Sequence, residues 1–443
     1  MIHLASRVPD PAVRRLSATL YGYAFLSDLV LLYPLYVVLF ADTGLSVGQI
    51  SSLFVLWSAA GILFEVPSGA WADVVSRRLL LCLAPLVTAA GFALWVLLPS
   101  YPAFAVGFLL WGAGGALVSG ALEALVWTEL ARLDASDRYA RVLGRARTAG
   151  VLGVVVTGVL AGPVFAVGGY PAVGAGSVLA CLLAATVATR FPEHRRPPVT
   201  PPLVTPSAAS PDDAASPVAP SSPDDQDDQH DHDDELTWSE TLRAGVRQVR
   251  TRPPVRAAVL LVAVVAADWG ALDEYTPLLA LDTGVGARAV PLLLLLLWAG
   301  VTVGGLLAPV GERLGRRGYA ALLALVAVAL AGGALVRHPA GFVLLAVAFA
   351  AAQLATVLAD ARLQARITGG SRATVTSLAG MLTDVLIIGT YAGYGLVATV
   401  AGNAVAFAVA GGAYLVMALL LIRRRRAAAV RGGVAAAAAR GPG

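Results

Sequence analysis

Lysine is absent from this 443-residue sequence, cysteine occurs twice, methionine three times, and charged residues make up only 14% of the chain. Each scarcity excludes something. Without lysine there is no nucleotide-binding loop of the G-x-x-x-x-G-K-[ST] kind, so pumping driven through such a loop is excluded. The two cysteines, Cys82 and Cys181, fall in different apolar stretches and read as small packing residues, not as a disulfide or a metal pair. No metal-ligand spacing and no converging nucleophile–base set is present, so neither a metal, nor another cofactor, nor an enzymatic activity is expected. What the chain has in excess is apolar surface, with 58% hydrophobic residues and a mean hydropathy of +0.75. That is far from the usage of a soluble domain and reads as an all-α integral membrane protein.

A helix crossing a hydrocarbon core of roughly 30 Å needs about 20 mainly apolar residues. Such stretches lie near 18–40, 48–70, 79–99, 102–130, 142–167, 170–190, 255–280, 287–309, 319–336, 340–361, 374–399 and 402–422, twelve in all. Gly168-Gly169 and Gly402 mark the hairpins between the fifth and sixth and between the last two. With both termini cytoplasmic, only Arg288 and Arg337 of the 32 arginines fall in external loops, as the positive-inside bias requires. The same bias accounts for the pI of 9.2 without nucleic acid. The run Arg423 to Arg426 follows the last segment as a stop and an anionic-lipid anchor. The first segment is longer than a signal-peptide core and lacks a clear cleavage site, so it is expected to stay attached, in a multi-pass protein of the cell's inner or plasma membrane.

Residues 192–235 break the apolar pattern. Ten prolines lie between Pro192 and Pro223, followed by "DDQDDQHDHDDE", a composition that cannot bury enough apolar surface to offset chain entropy. It reads as a disordered cytoplasmic linker, in which His230 and His232 are solvated and not metal ligands. Beyond it, "TWSE" has capping-box spacing, and Leu242, Val246 and Val249 follow at helical intervals opposite Arg243, Arg247 and Arg250. A short amphipathic helix on the inner membrane face is expected there. The domains are therefore 1–191, a six-helix bundle; 192–235, the linker; 236–422, the juxtamembrane helix and a second six-helix bundle; and 423–443, a basic tail.

The two halves are related. "GAWADVVSRR", Gly69 to Arg78, ends the second segment, and "APVGERLGRR", Ala308 to Arg317, ends the eighth, its counterpart. In both, an acid, Asp73 or Glu312, stands shortly before an arginine pair. Arg-rich loops after the fourth and tenth segments echo each other too. This is the mark of an internal duplication and of two pseudo-symmetric bundles. An acid and arginines in a tight loop supply an ion-pair cluster at the membrane surface, and Gly69 permits close helix approach.

The loop resembles that of the major facilitator superfamily between its second and third helices, G-x-L-A-D-x-x-G-R-[RK]. Gly69, Ala72, Asp73, Arg77 and Arg78 match, while Trp71 and Ser76 depart from it. The resemblance implies that fold, with twelve transmembrane helices in two six-helix bundles, and a gate-latch role for Asp73 and Arg77; Glu65, Gly69, Arg78, Glu312 and Arg316 are expected in the same cytoplasmic gate by position, and the protein is expected to be a monomer. "EVPSGAWAD" and "WGAGGALVSGALEAL" look most like the drug-efflux branch with tetracycline- and macrolide-type exporters. Gly158, Gly162 and Pro163 resemble the G-x-x-x-G-P motif in the fifth helix of the family's antiporters, which implies export. The motif's terminal Gly-Gly is replaced by Ala166-Val167, and the arginine many proton antiporters carry in the fourth helix is missing.

Acids inside the membrane are costly and mark function. Asp28, Asp268 and Asp384 fall near mid-depth of the first, seventh and eleventh segments and are the expected protonation sites. Tyr21, Phe25, Trp269, Tyr275 and Tyr391 are the expected aromatic cavity residues, suited to flat lipophilic molecules. Tyr36 and Trp111 fit a packing or interfacial-belt role as well as they fit a binding role. Glu123 is either a cavity acid or a partner of Arg147. Asp273 and Glu274 approach the outer mouth and are expected to be hydrated. The reading is a secondary transporter in the lipid bilayer that exports a small amphipathic molecule in exchange for protons. The alternatives are uptake or export of a specific metabolite and, from another class, a membrane sensor or scaffold.

Overall fold

The computed structural model describes residues 11–194, 238–367 and 372–438, without the side chains of 65–74, 238–242, 244–245, 373 and 423–438. Most of the expected linker and the capping Thr237 lie outside the described residues. Among the described residues every regular element is helical. The first half comprises α1 (Pro11–Asp28), α2 (Tyr36–Asp42), α3 (Val47–Val74), α4 (Arg77–Leu97), α5 (Tyr101–Val118), α6 (Ala121–Arg132) and α7 (Tyr139–Ala188). The second comprises α8 (Trp238–Thr251), α9 (Pro253–Asp273), α10 (Thr276–Asp282), α11 (Val290–Leu306), α12 (Ala308–Gly311), α13 (Arg316–Leu335), α14 (Gly341–Gln364), α15 (Arg372–Ala401) and α16 (Asn403–Ala438).

Ten helical stretches among the described residues are long and apolar enough to cross a bilayer. The longest contains α7, which loses helical geometry at Gly168 and at Gly169, where φ is +60° and ψ is −153°. Only glycine holds that conformation without strain. The two arms of α7 flank α1: Gly153 lies against Phe25 and Asp28, and Val187 against Gly22. The hairpin read from the glycine pair is thus present, and Gly402, with φ of +84°, divides α15 from α16 in the same way. With α7 taken as two arms, all twelve expected apolar segments have helical counterparts.

Three of those segments are not the continuous helices expected. The first breaks between Asp28 and Tyr36, the fourth at Ser119 and Gly120, and the seventh at Glu274 and Tyr275. Proline explains two of them, since it removes a backbone donor and clashes with the preceding turn. Pro34 sits in the first break, where the freed amide of Leu32 donates to Ser177 Oγ at 2.9 Å. Pro277 leaves the Asp273 carbonyl without its helical donor, and the Thr276 hydroxyl takes that place at 2.6 Å. In the fourth, Gly120 has φ of +74°, a conformation costly for other residues.

Within each half the helices pack through small residues. A methyl on Gly91 of α4 would lie 2.9 Å from the Gly107 carbonyl oxygen of α5, and one on Gly333 of α13 would lie 2.8 Å from that of Gly341 of α14. These repeat-related crossings have almost no side chain between them, the close approach that membrane helices use in place of a hydrophobic driving force. Large apolar side chains such as Leu97, Val167, Leu306, Leu396 and Val400 face outward, as expected of a surface solvated by lipid. The amphipathic helix expected after the linker is α8. Its Arg243, Arg247 and Arg250 are exposed, Val249 is half-buried, and α8 packs on α9 and α15.

Candidate functional site

The helix breaks at 29–35 and 274–275 face each other across the junction of the halves. The Tyr36 hydroxyl donates to Glu274 Oε2, and the Tyr33 hydroxyl reaches Glu274 Oε1 at 3.5 Å. Tyr275 donates to Ser51 Oγ of the opposite half at 2.8 Å. Its ring meets Phe54 at 5.2 Å, and Tyr391 meets Phe54 at 5.1 Å. Asp273 and Glu274 are therefore not a hydrated pair. Glu274 is buried, and Asp273 Oδ1 is inaccessible and has no hydrogen-bond partner. Sequence reading missed this because Glu274 lies 241 and 238 residues from Tyr33 and Tyr36 and meets them only when the broken helices cross.

Glycines of α7 complete the junction. Gly158 lies against Leu295 of α11, and Gly162 against the Arg288 carbonyl just before α11. Pro163 is exposed within α7, whose break comes later, at Gly168 and Gly169. On both halves the next turn is built alike. Asp42 accepts from Tyr170 at 2.5 Å, and Asp282 accepts from Asn403 at 2.9 Å. Thr43 and Thr283 each bond a carbonyl of the preceding helical turn at 2.7 Å. Gly44 and Gly284 follow with φ of +92° and +85°. The repeated triplet Asp-Thr-Gly was the sequence signal for this pairing.

Behind the junction lies a cavity of about 470 Å³ between α1, α4, α5, α7 and α11. Its aromatic wall is Tyr23, Tyr33, Trp111 and Trp298, its small polar groups include Ser27, Thr88 and Thr157, and its one charged lining residue is Asp28. None of the five aromatic residues expected from sequence lines it. Tyr275 and Tyr391 are buried in the junction. Trp269 donates to Thr356 Oγ1 of α14 at 3.1 Å, a contact within the second half. Tyr21 and Phe25 are half-buried on α1, away from the lining. The aromatic lining of this cavity stands at positions other than those five.

The three mid-depth acids have three environments. Asp28 is exposed to the cavity, and its carboxylate lies against Gly150 of α7. Asp268 is 7% exposed, and its Oδ2 has no hydrogen-bond partner. Asp384 is half-buried on α15 and does not line the cavity. Glu123 is exposed on α6 and forms no ion pair with Arg147 among the described residues. No three His, Cys, Asp or Glu side chains gather as a metal site among the described residues.

At the opposite end of the first half, Ser76 caps α4 by accepting from the Leu79 amide at 3.1 Å. Glu193 accepts from the Ser76 hydroxyl and, at 2.7 Å, from the Arg77 amide. The Arg77 guanidinium donates to Ala124 O at 3.2 Å and Thr128 Oγ1 at 3.0 Å, tying α4 to α6. Glu129, buried in α6, holds Arg132 at 3.2 Å and the His194 amide at 2.9 Å. The second half makes its counterpart with the donor reversed: Arg362 of α14 donates to Leu314 O at 3.1 Å and lies 3.9 Å from the Tyr319 ring centre. Arg78, Glu312 and Arg316 are exposed, while Glu65, Gly69 and Asp73 lie outside the described side chains. Glu193→Ala should lower the unfolding midpoint in detergent, because losing a helix cap and its hydrogen bonds costs roughly 1–2 kcal/mol. An unchanged midpoint would show that this cap contributes nothing.

Similar folds occur among solved transporters. The nucleoside transporter NupG is 10% identical, with 94% of this chain and 99% of that chain covered and a TM-score of 0.69. A D-xylose-proton symporter is 15% identical, with 92% and 96% covered and a TM-score of 0.60. An inward-facing, unoccupied bacterial homolog of the human lysosomal transporter Spinster is 16% identical, with 93% and 95% covered and a TM-score of 0.60. No curated protein matches the sequence. The sequence profile of the Major Facilitator Superfamily matches residues 19–388. A paired-helix architecture with a cavity beside the junction of its halves, joined to that match, makes the chain a member of the major facilitator superfamily, a secondary transporter that is not an enzyme and needs no cofactor.

Proposed function

We propose that this transporter exports small amphipathic or lipophilic molecules in exchange for protons, by alternating access. The observation that carries the reading is the cavity: about 470 Å³, mostly aromatic and aliphatic, with a single carboxylate. A drug-sized ligand is held in such a space by apolar contact and a few placed polar groups. Nucleosides and sugars need several hydrogen-bonding partners each, and the lining holds no amide and no arginine side chain. That contrast argues against the uptake of polar metabolites that the nucleoside and xylose transporters would suggest. Gly158 and Gly162 at the junction support the antiporter side of the reading, since through them α7 packs directly on Leu295 and Arg288 of the second half.

The arginine bias orients both termini to the cytoplasm, which places the junction of Tyr36 and Glu274 on the external side. Arg77 and Arg362 then brace the cytoplasmic ends of their own halves, and the coupling acid is one of Asp28, Asp268 and Asp384. Everted membrane vesicles test the proposal directly. Addition of a respiratory substrate should drive accumulation of fluorescent lipophilic drugs, and a protonophore should collapse it. Absence of accumulation across a broad drug panel, with uptake of a nucleoside or pentose by right-side-out vesicles, would instead establish the metabolite reading.

A further inference from the structure

Asp28 and Asp268 are separated by the same 240 residues as Asp42 and Asp282, so they occupy one position of the repeat. Their surroundings have diverged. Asp28 opens into the cavity, with Gly150 against its carboxylate and the rings of Tyr23, Tyr33, Trp111 and Trp298 forming the wall. A carboxylate beside aromatic faces is a site for a positive charge on an apolar body. Asp268 is closed away from solvent, and one of its oxygens meets no donor.

Among the described residues no ion pair forms with Asp268. Tyr414 of α16 accepts from the Trp269 amide and donates to the Val265 carbonyl, so its hydroxyl is committed to the α9 backbone. α15, which packs on α9, carries one acid, Asp384. The described basic groups of α8, α14 and α15 belong to the other end of α9: Leu363 of α14 and Val375 of α15 cluster with Val255 and Val259, which places Arg362, Arg366 and Arg372 there, along with Arg247 and Arg250 of α8. A buried carboxyl without a cation is tolerated as the neutral acid and not as the anion.

We propose that the two repeat-related acids have divided the work: Asp28 binds the positive charge of a monocationic, planar amphiphile, and Asp268 carries the exchanged proton. This rests on the proton-coupled export reading. The Asp268 carboxylic acid releases its proton to water on one side and, as the carboxylate, takes another from water on the other. No bond of the substrate changes.

Ethidium, a permanent planar monocation, is the probe, with wild type, Asp28→Asn, Asp28→Glu and Asp268→Asn compared at matched unfolding midpoints. Asp28→Asn should weaken equilibrium binding to purified protein by about tenfold or more, and Asp28→Glu should restore part of it. Asp268→Asn should bind ethidium within about twofold of wild type and still exchange internal for external ethidium in proteoliposomes, yet lose accumulation driven by a pH gradient. Binding lost in Asp268→Asn, or gradient-driven accumulation retained in it, would overturn the division. Binding retained in Asp28→Asn would do the same. Wild-type vesicles that bind ethidium through Asp28 but never accumulate any substrate with a proton gradient would overturn the exporter reading and the role of Asp268, leaving the cation site established.

Discussion

Glu274→Ala should unseal the junction of the two halves and stop transport. The substitution removes the acceptor of the Tyr36 hydroxyl, and the nearest acceptor of the Tyr33 hydroxyl, at a site closed to water. Each buried donor left unmade costs about 1–3 kcal/mol, and 1.4 kcal/mol is about a tenfold change in an equilibrium. The cost falls only on the closed junction, because the donors and the acceptor belong to different halves, so the population shifts toward the opened form. Labelling of a Ser51→Cys reporter by a membrane-impermeant maleimide, with Cys82 and Cys181 replaced, should accelerate by about tenfold or more. Glu274→Gln keeps an acceptor oxygen in place and should label slowly, and Tyr36→Phe should fall between. Equal labelling in all four proteins would mean that the aromatic packing around Phe54 and Tyr275 alone holds the junction shut.

Gly162→Val should bias the transporter in the same direction, toward the opened junction, and hold it there. A side chain at Gly162 meets the Arg288 carbonyl, a backbone atom that cannot swing aside. Overpacking of this kind costs about 1–3 kcal/mol, again only in the closed junction. Turnover should fall by about tenfold or more while the protein still folds and binds ligand, since the cavity is lined by other residues. Gly158→Ala is the milder comparison, because its methyl would meet the Leu295 side chain at 3.2 Å, which has rotamers to offer. Wild-type turnover in Gly162→Val would show that the α7–α11 contact is not part of the cycle.

Both substitutions act at a junction that sequence reading described only in part. The G-x-x-x-G spacing of Gly158 and Gly162 was legible because a small-residue face is a property of one helix. What it packs against was not, since Leu295 and Arg288 come from the other half. The acids were legible as costly groups in apolar segments. Their roles were not, because Asp28 and Asp268 look alike in sequence and differ only in whether α7 leaves room beside them or neighbouring helices close over them.

The same boundary runs through the whole molecule. Apolar segments, the division into related halves, the hairpin at Gly168 and Gly169 and the amphipathic α8 follow from composition, periodicity and backbone freedom, all read within a few turns of chain. The breaks at Pro34 and Pro277 were open to the same reading, as was the repeated Asp-Thr-Gly. The aromatic wall of Tyr33, Trp111 and Trp298 and the bond from Tyr36 to Glu274 belong to another level. They depend on how helices distant in the chain cross, and the energy of a side chain there is set by the partner that arrives from a distant segment.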